Sequence, residues 1–214
     1  MIVYGSSLSP YVRKVLAFAA EKGIEVESRP IGIGDRDPEF REASPFGKMP
    51  GFRDGDFAIS DSTAIVTYLE ALHPEPELIP SDPKARARTI WFDEFSDTIM
   101  MACGGKMFFN RVVAPRFLKR DGDLAAADKA EQEELPPILD YLETVIPDSG
   151  FLVEDRLTLA DISIASPFAN FRHMGVNCVA SRPRLARYVD AILARPSFAP
   201  WVEREVAFLE RTAA

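Results

Sequence analysis

Apolar positions in the first eighty residues change their spacing repeatedly. Ile2, Val3 and Tyr4 form a short β-favouring run that Gly5 ends. From Ser9-Pro10 the apolar residues Val12, Val15, Leu16, Phe18 and Ala19 take up a helical period, which stops at Gly23. Ile24 to Ile31 alternates apolar with polar residues, as a half-buried strand does, and a crossover helix allows it to run parallel to the first strand. One helical turn is predicted near Pro38 to Glu42. Gly51-Phe52-Arg53 and Phe57-Ala58-Ile59 flank Asp54-Gly55, a strong hairpin signal. Ser62, Ala64, Ile65, Tyr68, Leu69 and Leu72 then mark a third helix that ends at His73-Pro74. The predicted order is β-α-β-α-β-β-α.

A proline-rich stretch from His73 to Pro83 cannot continue that helix and makes a stiff, extended connection. Beyond it the period is almost wholly helical, roughly over 84–113, 124–146, 159–175, 183–195 and 198–211, with breaks at Gly, Pro and charge clusters such as Arg120-Asp-Gly-Asp123. The expected organisation is an α/β domain over 1–76, a connection over 77–83 and an all-α domain over 84–214. Gly104-Gly105 is expected to weaken or bend its helix and open room for a ligand.

Composition narrows the function classes. With 47% hydrophobic residues the chain can fill one large core or two small ones, and its net charge of −8, spread over both halves, argues against a nucleic-acid partner. The N-terminus has no basic flank or cleavage pattern and no long apolar run occurs, so a cytoplasmic protein with no membrane partner is expected. Cys103, Cys178, His73 and His173 show no CxxC or HxxxH spacing, so neither a disulfide framework nor a metal site is expected, and Cys103 reads as a buried apolar residue.

Three patches carry candidate chemistry. In Ser9-Pro10-Tyr11-Val12-Arg13-Lys14, Ser9 stands at the cap position and Pro10 at the first helical position. Free N–H groups and partial positive charge at a helix start stabilise a thiolate beside it. In Phe46-Gly47-Lys48-Met49-Pro50, the Met49-Pro50 bond before a strand is a candidate cis peptide whose backbone could pair with an extended peptide ligand, and Lys48 could hold a carboxylate. In Ser60-Asp61-Ser62-Thr63, Ser62 and nearby N–H groups suit a carboxylate and Asp61 an ammonium group. Taken singly, each patch has a purely structural reading: a helix cap, a proline turn with a solvated lysine, and a second cap.

Taken together, Ser-Pro-aromatic at the first helix, Gly-Lys-X-Pro before a hairpin, Asp-Ser-X-Ala-Ile-X-X-Tyr-Leu at the third helix and the proline-rich connection resemble the cytosolic glutathione transferase family, and most of all its serine-type members (tau-, theta- and zeta-like). Asp155-Arg156-Leu157-Thr158-Leu159-Ala160-Asp161 resembles the family's buried capping motif, with Thr158 and Asp161 closing a reciprocal box. The resemblance implies a thioredoxin-like N-terminal domain (βαβαββα), an all-α C-terminal domain, glutathione as co-substrate, no metal, and a homodimer. It implies that Ser9 hydrogen-bonds the glutathione sulfur, that the Met49 backbone beside cis-Pro50 pairs with the cysteinyl unit, that Asp61 and Ser62 bind the γ-glutamyl end, and that Lys48 lies near the glycyl carboxylate. Ser6, Ser7 and Tyr4 are alternatives for the sulfur contact. The second substrate, a hydrophobic electrophile or peroxide, is expected between the domains, with Tyr11, Met101 and Phe108 as leading pocket residues and Met100, Met107, Phe109, Phe168 and Phe171 as further candidates. Relatives of the same fold that act as non-catalytic modules, or as glutathione-dependent isomerases or lyases, are the competing readings.

Overall fold

A computed structural model describes residues 1–212. Its α/β half contains β1 (Ile2–Tyr4), α1 (Pro10–Glu21), β2 (Glu27–Arg29), α2 (Pro38–Ala43), β3 (Gly51–Asp54), β4 (Phe57–Ser60) and α3 (Ser62–Leu72), in the predicted order. The sheet runs β2-β1-β3-β4, with β1 parallel to β2 and the other pairs antiparallel. Alternation along β1 sends Val3 into the core under α1 and α3, while Tyr4 joins Ile31, Phe40 and Ala43 on the α2 face. β2 keeps only three residues of the longer alternating stretch, because Pro30 follows with no N–H to donate. The hairpin turn falls at Gly55-Asp56, one residue later than expected, with Asp54 paired to Phe57 and Gly55 at φ 60°.

The helical half contains α4 (Pro83–Glu94), α5 (Met101–Phe108), α6 (Leu124–Lys129), α7 (Leu135–Val145), α8 (Leu159–His173), α9 (Pro183–Leu193) and α10 (Ala199–Arg211). Wide π-helical turns over Phe95–Met100 and Phe109–Phe117 extend α4 and α5 into one continuous path, and another over Ala130–Glu134 joins α6 to α7. Pro115, Pro136 and Pro137 account for the last two, since each removes an N–H that a regular helix would spend on the carbonyl four residues back. The bend expected at Gly104-Gly105 is absent: both residues lie inside regular α5. A Cβ on Gly104 would stand 2.8 Å from the Phe171 ring, so this glycine allows close helix packing and opens no ligand space.

α8 is the central element, buried from Leu159 to Phe171 and packed against α1 on one side and α4 on the other. Its start is fixed by the Thr158–Asp161 capping box. The Asp161 carboxylate accepts from the Thr158 N–H (2.9 Å), the Leu152 N–H (2.9 Å) and the Tyr188 hydroxyl (3.1 Å). Pro167 interrupts the ladder of α8 and leaves the Ser163 carbonyl without its usual partner. The Ser96 hydroxyl takes that place at 2.7 Å.

Candidate active site

The elements that carry the three patches are neighbours: Gly5 of the β1–α1 turn lies against Met49, and Lys14 Nζ of α1 is 3.3 Å from the Thr63 hydroxyl of α3. Gly5 makes the first of these contacts possible. It sits at φ 141°, and a Cβ there would stand 2.6 Å from Val12 of α1 and 3.3 Å from the Met49 side chain, so only glycine lets the chain pass between the helix start and the Met49 turn. Ser9 occupies the N-cap position of α1 with extended backbone (φ −75°, ψ 123°), but its hydroxyl makes no capping hydrogen bond. The hydroxyl is therefore not committed to the structural role that its sequence position suggests.

The alternatives for the sulfur contact separate. Ser6 is engaged locally: its carbonyl accepts from the Ser9 N–H (2.9 Å) and its hydroxyl lies 3.4 Å from the Leu8 N–H. Ser7 is half-buried in the same turn. Tyr4 is fully buried on the opposite sheet face, where its hydroxyl donates to Glu39 at 3.0 Å, and burial raises its pKa. The Tyr4 hydroxyl is thereby already engaged with Glu39.

Met49-Pro50 is a cis peptide. Met49 is half-buried two residues before the first β3 pair, and its N–H and carbonyl have no backbone partner among the described residues. The preceding turn is held by Ser44, whose hydroxyl donates to the Lys48 carbonyl (2.7 Å) and accepts from the Lys48 N–H (2.9 Å), and it leaves the Lys48 side chain exposed. Asp61 is exposed at φ 84°, a strained conformation for a non-glycine residue. One of its oxygens caps α3 by accepting from the Thr63 N–H (2.9 Å) and the Ala64 N–H (3.0 Å). Ser62 is buried, and its hydroxyl donates to Asp97 at 3.3 Å.

That last contact leads to residues the sequence reading did not single out. Lys14 is buried with Nζ 2.7 Å from both Asp93 and Asp97. Asp93 also accepts from the Ser163 hydroxyl (2.5 Å) and the Thr63 hydroxyl (2.6 Å), so α1, α3, α4 and α8 meet on one carboxylate. Burial raises the pKa of Asp97, with Lys14 opposing and the neighbouring Asp93 charge adding to the rise. Beside it the Tyr11 hydroxyl donates to the Asp97 carbonyl at 3.1 Å. Burial, with the charges of Asp97 and Asp61, pushes that phenol up to about 12, so it remains a neutral donor. The available signal was Arg13-Lys14 inside an otherwise apolar helical face, together with Ser163, Ser166 and Asn170 at helical spacing in a buried helix.

Phe108 packs with Leu8, Val112 and Leu209 and so forms a wall next to the Ser9 turn. Met101 is half-buried along Gly105. Met100, Met107, Phe168 and Phe171 lie in the main core, while Phe109 is partly exposed under Arg120. Cavities of about 350 Å³, lined by residues including Phe168, Arg172 and Cys178, and about 480 Å³, lined by residues including Ile146, Phe151 and Arg187, open elsewhere on the helical half. Neither is lined by a residue of the three patches. The Cys103 thiol is pushed up to about 11 by burial and lies 3.4 Å from the Ala130 carbonyl, as an inert core residue would.

Known proteins resemble the chain over both of its halves. Residues 3–77 match the model of the glutathione S-transferase N-terminal domain and residues 109–205 that of the C-terminal domain. A glutathione S-transferase of Hyoscyamus muticus is 32% identical, covering 95% of this chain and 98% of that protein. Glutathione S-transferase 3 of Zea mays is 30% identical over 92% of this chain and 90% of its own. Among solved structures, a glutathione S-transferase of Methylobacterium radiotolerans in complex with glutathione sulfonate superimposes with a TM-score of 0.78 at 27% identity, covering 94% of this chain and 93% of that one. The α/β half is thus the thioredoxin-like domain of this family and the helical half its C-terminal domain, and the chain belongs to the glutathione S-transferase family.

Proposed function

We propose that the protein is a glutathione transferase in which Ser9 donates a hydrogen bond to the sulfur of bound glutathione, holding it as a thiolate that attacks a hydrophobic electrophile or a peroxide. The observation that carries this reading is the Ser9 hydroxyl, which stands at a helix start without capping it. A free thiol ionises near pH 8.5, and a hydroxyl donor beside a helix N-terminus brings that value toward neutrality. The unpaired Met49 backbone beside Pro50 receives the cysteinyl unit, Asp61 and Ser62 the γ-glutamyl end, and Lys48 the glycyl carboxylate. Tyr11, Met101 and Phe108 border the electrophile. Residues 1–76 form the glutathione-binding unit, 77–83 the connection and 84–214 the helical unit.

The family's habits support a cytoplasmic homodimer with a detoxifying role. Among the described residues no helix is long and apolar enough to cross a membrane. Light scattering checks the dimer: twice the subunit mass of 23.8 kDa is expected, and a mass near one subunit overturns it. The catalytic reading is tested by retention on immobilised glutathione followed by a turnover panel of aryl halides, hydroperoxides, disulfides and unsaturated acids. Retention with turnover of an aryl halide or hydroperoxide is expected. A protein that is not retained and turns over none of them is a non-catalytic module instead.

A further inference from the structure

Ser9 is held by a helix of the other domain. The Asn170 side-chain amide donates to the Leu8 carbonyl at 2.8 Å, and the Ser166 hydroxyl donates to the Pro10 carbonyl at 2.8 Å, so α8 clamps the backbone on both sides of Ser9. Both α8 residues are themselves fixed by Arg13, which donates from Nη1 to the Ser166 carbonyl (2.6 Å) and to Asn170 Oδ1 (3.1 Å). Because arginine only donates, Asn170 must turn its oxygen to Arg13 and its NH₂ to Leu8. The remaining edge of the guanidinium makes a two-point contact with Glu205 of α10 (Nε 3.1 Å, Nη2 2.7 Å), and His173 Nε2 lies 2.8 Å from the same carboxylate. Arg13 is 0% exposed and Glu205 2%, so neither can touch a substrate.

We propose that Asn170 is a positioning residue for the thiol-activating step, oriented by the buried Arg13–Glu205–His173 network, so that α8 and the docked α10 set the direction of the Ser9 hydroxyl. This rests on the reading of Ser9 as the residue that meets the sulfur. Three links lead from α10 to the reacting atom: Glu205 orients Arg13, Arg13 orients Asn170, and Asn170 fixes the Leu8 carbonyl that precedes Ser9. Glutathione's own anchors, Met49, Asp61 and Ser62, lie outside this chain of contacts. Loosening the chain should therefore slow turnover without weakening glutathione binding.

The test is a double-mutant cycle between Asn170→Asp and Ser9→Ala, assayed with glutathione and an aryl halide. Asn170→Asp keeps an acceptor facing Arg13 but turns a second acceptor toward the Leu8 carbonyl. Expected is a loss of about tenfold in kcat with the glutathione KM within about twofold, and a loss of less than about twofold when the same substitution is made on Ser9→Ala. An unchanged kcat, a change confined to KM, or equal losses in both backgrounds overturns the positioning role. Ser9→Ala with full activity overturns the assignment of Ser9 itself, and the positioning role with it. Glu205→Gln, which keeps a side-chain acceptor facing Arg13, replaces Asn170→Asp in the cycle should the latter give no folded protein; it is expected to show the same dependence on Ser9, and equal losses in both backgrounds overturn the proposal.

Discussion

At the scale of single residues, chemistry and capping compete for the same side chains. Asp61 spends one oxygen on the first N–H groups of α3 and holds a φ of 84° to do so, while remaining exposed where an ammonium group could meet its charge. Asp61→Asn keeps the cap and tolerates the positive φ but removes that charge. Losing a charged hydrogen bond costs about 1.5–3 kcal/mol, so the glutathione KM should rise about tenfold or more with kcat little changed. Steady-state kinetics with glutathione as the varied substrate checks it, and a fall in kcat at constant KM contradicts it. The positions of Ser9, Met49, Pro50, Asp61 and Ser62 were legible because each sits at a punctuation point, a cap or a proline turn, where sequence fixes local geometry. Lys14, Asp93 and Asp97 were not, because their pairing depends on α1 and the α4 path being brought together by the fold.

At the scale of elements, the apolar period located most of the helices but not the wide turns within them, two of which Pro115, Pro136 and Pro137 explain. The misreading concerned Gly104-Gly105, where low helix propensity suggested a bend. Propensity yields here to packing, since the Phe171 ring occupies the space over Gly104. Gly104→Ala should therefore destabilise the protein by about 1–3 kcal/mol through overpacking. Gly105→Ala meets only the flexible end of Met101, at 3.3 Å, and should be neutral or stabilising by up to about 1 kcal/mol. Denaturant unfolding of the two variants checks the contrast, and equal effects contradict the packing account. The Thr158–Asp161 box was legible for the opposite reason: its residues are three apart and both bonds are local.

At the scale of the whole molecule, buried ion pairs cross the boundary between the two domains. Burial raises the carboxyl pKa of Glu205, but Arg13 and His173 outweigh it and hold the group below its ordinary value. A folded-state pKa below the unfolded one means a stabilisation present above about pH 4.3 and lost as pH falls through that value and then the folded one. Glu205→Gln should accordingly lower the melting temperature at neutral pH, and its deficit relative to the native chain should shrink below about pH 4. Melting curves of both proteins across that range check it; a deficit independent of pH contradicts the ionic account. The two-domain architecture was legible from the change of period at the proline-rich connection. The contacts of α10 were not, because residues 192 positions apart, such as Arg13 and Glu205, leave no trace in any local pattern.

The central claim, that Ser9 activates the thiol, is tested most directly by titrating the thiolate absorption of glutathione bound to the native protein and to Ser9→Ala. The account predicts a bound thiol that ionises below the free value of about 8.5 in the native protein and moves up by at least about one pH unit in Ser9→Ala, with glutathione still bound. The same ionisation midpoint in both proteins would contradict it and return Ser9 to the role of a helix-start residue.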